Sequence, residues 1–150
     1  MFTKRVFPLF LILSLILLSG CEQKMPDGMP KLYSPIILTV TQEKKPLAEV
    51  SVLLRSVDSS AGSWSIGGLT DANGSFELYT QGYRGAPLGK FKVILTKEIT
   101  DDVAREVWAY IENEYASVET TPLEVEITAS TKTLTVEAGP AVKIPRPYVP

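Results

Sequence analysis

GGLTDANGSFELYT, residues 67–80, is the stretch whose reading decides the fold. Asp71, Asn73, Ser75 and Glu77 occupy alternate positions around Gly74, so the stretch can be read as a calcium loop, a carboxylate site or a tight turn. An EF-hand loop needs glycine at its sixth position and a bidentate glutamate at its twelfth. Counted from Asp71, those positions hold Phe76 and Gly82. A turn fits better. Asp71 and Asn73 can hydrogen-bond their own backbone, and Gly74 tolerates positive φ without steric cost. The stretch therefore predicts a hairpin: residues 64–70 run in, 71–74 turn and 75–80 run out.

On both sides the chain alternates apolar and polar residues with period two, which places one apolar face on each strand. Ile36, Leu38 and Val40 form one such set, and Val50, Val52 and Leu54 a second. Phe76 and Leu78, then Phe91, Val93 and Leu95, continue it. Leu123, Val125 and Ile127, then Leu134 and Val136, complete it. With the weaker candidate at 64–69, the pattern predicts seven strands with short polar connections, an all-β, antiparallel β-sandwich. One segment departs from period two. Val103, Val107, Trp108, Ile111 and Tyr115 follow helical spacing behind Asp101 and Asp102, which suit a helix N-terminus. A short helical insertion is expected over 101–115. The end, GPAVKIPRPYVP (139–150), is rich in proline and is expected to be a frayed or polyproline II tail that adds no central strand.

Composition excludes several functions. The 150 residues suffice for one domain. With 15 basic and 17 acidic side chains, no clustered basic surface for nucleic acid is expected. The chain contains no histidine, which removes imidazole bases, imidazole triads and the commonest metal ligand. The single cysteine precludes an internal disulfide. No cofactor and no metal site is expected. The carboxylate pairs Asp101/Asp102, Glu112/Glu114 and Glu124/Glu126 read as solvated faces, since acid–base work needs two carboxyls opposed across a cleft. The loop Ser59-Ser60-Ala61-Gly62-Ser63 offers a hydroxyl with no base beside it. Three aromatics, Trp64, Tyr79 and Tyr83, are the candidate ligand contacts, as stacking surfaces for a glycan or a partner protein.

The N-terminus explains the cysteine. Lys4 and Arg5 precede VFPLFLILSLILL (6–18), an apolar run of signal-peptide length and short of the roughly 20 residues of a membrane-spanning helix. Leu18-Ser19-Gly20-Cys21 then resembles a bacterial lipobox. This resemblance implies cleavage before Cys21 and lipidation of its thiol, with diacylglycerol and palmitate-like chains as the membrane anchor. Cleavage removes Lys4 and Arg5 and no acidic residue, leaving 13 basic and 17 acidic side chains, a net charge of −4. The same resemblance implies, from Glu22 where an aspartate would favour inner-membrane retention, an outer-membrane location. Residues 1–20 are then the signal peptide, 21–35 a flexible tether, 36–138 the β-sandwich domain and 139–150 the tail.

Three motifs carry a family resemblance. KPLAEVSVLL (45–54) resembles the GxPLxGAxVxL strand of carboxypeptidase-regulatory-like domains, LTDANGSFEL (69–78) their TDxxGxFxL hairpin, and PLGKFKVILTK (87–97) the PxGxYxVxVxK strand that follows. SVETTPLEVEIT (117–128) is similar to a late strand of small lipoproteins with that fold. The match covers about 35–137 and implies a transthyretin-like (prealbumin-like) Greek-key sandwich. Two features depart from the family. Lys44 and Lys45 stand where a glycine is usual, which predicts a less tight first hairpin, and the 101–115 insertion is longer. Tyr83-Arg84-Gly85 echoes the Tyr-Arg-Gly-Ser tail of the hydroxyisourate hydrolases. However, it lies mid-chain, Ala86 replaces the serine, and no histidine is present. The expected function is a non-enzymatic, lipid-anchored binding or structural module of the bacterial cell envelope, engaging an envelope protein or glycan. The alternative is a carbohydrate-active or hydrolytic domain using the loops near Asp71 and Tyr83.

Overall fold

Where the sequence alternates, the chain is extended. The computed structural model describes residues 24–58, 63–97 and 108–144. The expected signal peptide, Cys21, residues 59–62 of the Ser/Gly loop, residues 101–107 of the expected helix and residues 145–150 of the tail lie outside them. The described strands are β1 (Ile37–Gln42), β2 (Lys45–Pro46), β3 (Ser51–Ser56), β4 (Ile66–Leu69), β5 (Ser75–Glu77) and β6 (Tyr79–Thr80). They continue with β7 (Tyr83–Arg84), β8 (Gly89–Thr96), β9 (Trp108–Tyr110), β10 (Glu124–Ile127), β11 (Thr133–Glu137) and β12 (Val142–Ile144).

The fold is all-β and sandwich-like, with two main sheets. One has the order β10-β8-β3-β4-β6-β7. In the other, β11 lies along one edge of β1, while β2 and β5 share the opposite edge at different rungs. The inward residues of both sheets join in one core. Ile36, Leu38, Val40 and Val136 come from the smaller sheet and its approach, and Val52, Leu54, Phe91, Val93, Leu95 and Ile127 from the larger. Full burial of each such side chain contributes about 1.5–3 kcal/mol. These are the faces the alternation selects.

Four features differ from the sequence expectations. First, the sheets are not wholly antiparallel. β1 runs parallel to β11, from Ile37↔Thr133 to Thr41↔Glu137. The Glu137 carboxylate joins the ends of the two strands, accepting from Thr41 Oγ1 and from the Glu43 amide, each at 2.6 Å. Second, no helix forms over 108–116. Trp108–Tyr110 pairs antiparallel with Val142–Ile144, a strand inside the Pro-rich end, and Asn113–Ala116 is a single 3-10 turn that buries Tyr115. Sheet pairing of 108–110 overrides its helical spacing, as tertiary context commonly does.

Third, the first hairpin is tight despite its lysines. Gln42 pairs with Lys45 across a two-residue turn, with Glu43 at φ 50° and Lys44 at φ 66°. Both central residues are left-handed, the primed-turn geometry that matches strand twist. Fourth, the hairpin predicted at 64–80 is split. Ile66 pairs with Thr80 and Gly67 with Tyr79, and the Asp71 amide donates to the Ser75 carbonyl at 2.9 Å. All three share the register of one hairpin centred on Asn73. Between them the strands part, and β5 pairs instead with β1. The outgoing strand thus begins in one sheet and ends in the other, pivoting at buried Leu78. The Phe76 ring fills the opening so closely that a Cβ on Gly68 would lie 2.5 Å from it.

Candidate functional site: the outer trough of the larger sheet

The Asp71–Gly74 turn is closed by its own polar groups. Asp71 Oδ1 accepts from the Asn73 amide at 2.8 Å and the Ser75 amide at 3.0 Å, and the Gly74 amide donates to the Asp71 carbonyl at 2.9 Å. Gly74, at φ 69°, nests against the Val40 carbonyl and the Leu47 amide. Thr70, just upstream, is buried. Its hydroxyl donates to the Leu47 carbonyl and accepts from the Val50 amide, both at 2.9 Å. The Asp71 carboxylate thus closes the turn on itself, and Thr70 ties it to the loop beside it. Among the described residues, no three histidine, cysteine, aspartate or glutamate side chains are grouped to hold a metal ion.

The acidic pairs are likewise dispersed. Glu124 forms an ion pair with Lys92 at 2.8 Å across β10 and β8, and this lysine holds the Glu124 carboxyl below its ordinary range. Glu77 pairs with Arg84, which raises the guanidinium pKa. Asp101 and Asp102 lie outside the described residues. Glu114 and Glu112 flank Tyr115, whose phenol is pushed up first by burial and then by their charge.

The three candidate aromatics do not converge. Trp64 is half-buried and packs against the core. Tyr83 directs its hydroxyl to the Lys24 carbonyl, 2.9 Å away. Tyr79 alone lies over a concave surface. β6 sets its side chain on the outer face, since Thr80 beside it is buried. There it borders a shallow depression of about 560 Å³ with Leu53, Leu69 and Ile94. That volume falls in the range of small-ligand sites. Its polar lining is Ser51, Ser65, Thr96 and Gln81. Gly67 and Gly68 also line it. A Cβ on Gly67 would come within 2.0 Å of the Val52 carbonyl, so β4 approaches β3 closely and supplies no side chains there. The trough is open, with one rung running Tyr79, Gly67, Leu53, Ile94 and the next Leu69, Ser51, Thr96. It can accommodate an apolar side chain or the face of a sugar ring against Tyr79. Its lining contains no carboxylate, lysine or arginine, so it offers no acid–base pair.

Sequence reasoning singled out Tyr79 but missed Leu53, Leu69 and Ile94. Leu53 and Ile94 occupy the outward positions of two strongly alternating strands, where an apolar residue replaces the expected polar one. With the paired glycines, that exception was the available signal.

No family model matches this sequence, and no curated protein matches it. A solved structure of a 9R-lipoxygenase from Cyanothece PCC8801 is similar at 17% identity and a TM-score of 0.34, covering 76% of this chain and 18% of that one. The chain thus spans less than a fifth of that enzyme's length, and the likeness carries no argument about activity.

Proposed function

We propose that this chain is a lipid-anchored, non-catalytic binding module of the bacterial cell envelope, attached through Cys21, that offers the outer face of its larger sheet to an envelope protein or glycan. The observation that carries the binding role is the trough, where Leu53, Leu69, Tyr79 and Ile94 bring apolar surface to the solvent side of a sheet. Apolar side chains gathered around a concavity of small-ligand volume support a contact role for this face. The anchoring role rests on the ordered sequence of basic start, apolar run and Leu-Ser-Gly-Cys, and the outer membrane is inferred from Glu22. The fold is read further as a seven-stranded, transthyretin-like Greek key. Support comes from the order of the three motifs, which fall on β2–β3, β4–β5 and β8.

The test is a photo-crosslinking residue at position 79 in cells making the full chain, with Cys21→Ser as the anchoring control. The expected result is a discrete crosslinked envelope product that weakens in Leu69→Asp and Ile94→Asp. Metabolic labelling with an alkyne fatty acid should mark the wild type and not Cys21→Ser. A crosslinking pattern indifferent to both trough substitutions would refute the binding surface. Absence of label would refute the anchor.

A further inference from the structure

The segment expected to act as a loose tether is fastened to the domain at two points, Tyr33 and Lys24. Tyr33 and Ala86 exchange backbone hydrogen bonds, Tyr33 N–H to Ala86 C=O at 2.8 Å and the reverse at 3.1 Å. Further toward the N-terminus, Tyr83 Oη donates to the Lys24 carbonyl at 2.9 Å. Between these contacts, the Met29 amide donates to the Pro26 carbonyl and Lys31 Nζ sits 5.1 Å from the Tyr33 ring centroid. Lys24, the first of the described residues, is three residues from Cys21.

Those three residues span at most about 11 Å. A free linker of residues 21–35 would have a root-mean-square span of about 20 Å and could extend to about 50 Å. Fastening at Lys24 therefore removes most of the stand-off and fixes which end of the domain meets the bilayer. That end carries the Gln81–Gly82 turn, since the Gln81 amide donates to the Ser65 carbonyl and Tyr83 follows directly. The Asp71–Gly74 turn lies at the opposite end. The seven residues from Gly74 to Gln81 carry the chain about 20 Å along the sandwich.

The distribution of exposed apolar side chains agrees with this polarity. The large exposed hydrophobics among the described residues are Met25, Ile37, Val57, Leu69, Tyr79 and Leu88. Met25 adjoins the fastened Lys24. Leu88 follows the Tyr33–Ala86 contact, Ile37 opens β1 beside it, and Val57 is tied to Lys90 near the start of β8. Tyr79 and Leu69 do not belong to this end; they line the outer trough, with Tyr79 level with Leu53 and Ile94 in mid-sheet and Leu69 one rung further toward the far end. Lys24, Lys31, Lys90 and Lys132 lie toward the near end, with Asp27, Asp58 and Glu126 as the nearby acids, so charge there is mixed.

We propose that the end bearing Met25, Tyr83 and Leu88 is a membrane-apposed surface. On the anchoring reading above, the fastened segment holds it against the lipid headgroup layer, with the Asp71–Gly74 turn pointing away. The headgroup region is about 5–7 Å thick per leaflet. An 11 Å link from Cys21 thus leaves Lys24 at or just beyond its edge, and Met25 and Leu88 within reach of its interfacial zone.

The experiment uses the full lipidated chain in phosphatidylethanolamine–phosphatidylglycerol vesicles containing a headgroup-spin-labelled lipid. One fluorophore is attached through Leu88→Cys or, separately, through Ala72→Cys, and mass spectrometry checks Cys21 in each sample. The expected result is at least threefold stronger quenching at position 88 than at position 72. Inserting six Gly/Ser residues between Cys21 and Lys24 lengthens the link without altering the folded domain, and should reduce the quenching at 88 with Tm unchanged. Equal quenching at the two positions on a chain with lipidated Cys21 overturns the orientation while leaving the anchor intact. So does quenching indifferent to the insertion. An unmodified Cys21 overturns the anchoring reading and the orientation with it.

Discussion

Replacing Gly74 by alanine tests how the split hairpin is held. Two costs are expected at this position. At φ 69° an L side chain is strained, which costs about 1–2 kcal/mol. A Cβ would also lie 2.7 Å from the Val40 carbonyl oxygen and 2.8 Å from the Leu47 amide nitrogen. These are backbone atoms, and they also hydrogen-bond each other at 2.9 Å, so neither can give way without opening the β1–β2 end of the smaller sheet. Overpacking of this kind adds about 1–3 kcal/mol. Gly82 is the internal control. Its φ is 86°, and a Cβ there would meet nothing within 4 Å. Gly82→Ala therefore carries the conformational cost alone, about 1–2 kcal/mol. The gain from restricting the unfolded chain is common to both substitutions and cancels in the comparison. Gly74→Ala should cost about 2–4 kcal/mol, a loss of roughly 10 °C in Tm for a domain of this size. Urea unfolding followed by tryptophan fluorescence reads both variants. Equal destabilisation within about 0.5 kcal/mol would show that the Val40–Leu47 nest does not hold the turn.

Three further outcomes are expected. Asp71→Ala should cost about 1–2 kcal/mol through loss of the two amide bonds to Oδ1, Asp71→Asn should cost less because an acceptor remains, and added calcium should leave Tm unchanged. A calcium-dependent rise in Tm would restore a metal role to this turn. Glu43→Asn with Lys44→Gly should stabilise by about 0.5–1 kcal/mol, since both positions are left-handed, and an unchanged urea midpoint would contradict the turn geometry. The Tyr115 phenol ionises above its ordinary value in the fold, so the unfolded chain releases that proton first and stability falls as pH rises above about 10. Tyr115→Phe should flatten this alkaline loss, and an unaltered alkaline transition would exclude Tyr115 as its source.

The alternation of the sequence and the structure meet at particular residues. The alternation of Ile36, Leu38 and Val40 with their neighbours was enough to name the buried face, because a strand exposes alternate side chains whichever partner it has. Asp71, Asn73 and Gly74 were enough to place a turn, because their backbone preferences act within four residues. The segment at 108–116 misled because its helical spacing is a local signal, while pairing with Val142–Ile144 comes from more than thirty residues away. The trough was only half legible. Tyr79 could be placed on an outer face, but Leu53, Leu69 and Ile94 come from three strands whose adjacency no spacing encodes.

By itself, then, the sequence determined which residues face inward, where the chain turns, and that the N-terminus resembles a lipidation signal. Each depends on preferences within a few residues. Tertiary structure alone decided strand direction and partner. An alternating strand satisfies its apolar face equally when parallel or antiparallel, so the parallel β1–β11 pairing had to come from the packing of the whole chain. It also decided that the strand leaving Gly74 divides between two sheets, since β5 pairs with β1 and β6 with β4 while the Phe76 ring lies over Gly68, a placement that no local preference sets. The same packing brought Tyr83 to Lys24 and turned the expected loose tether into a fastened one.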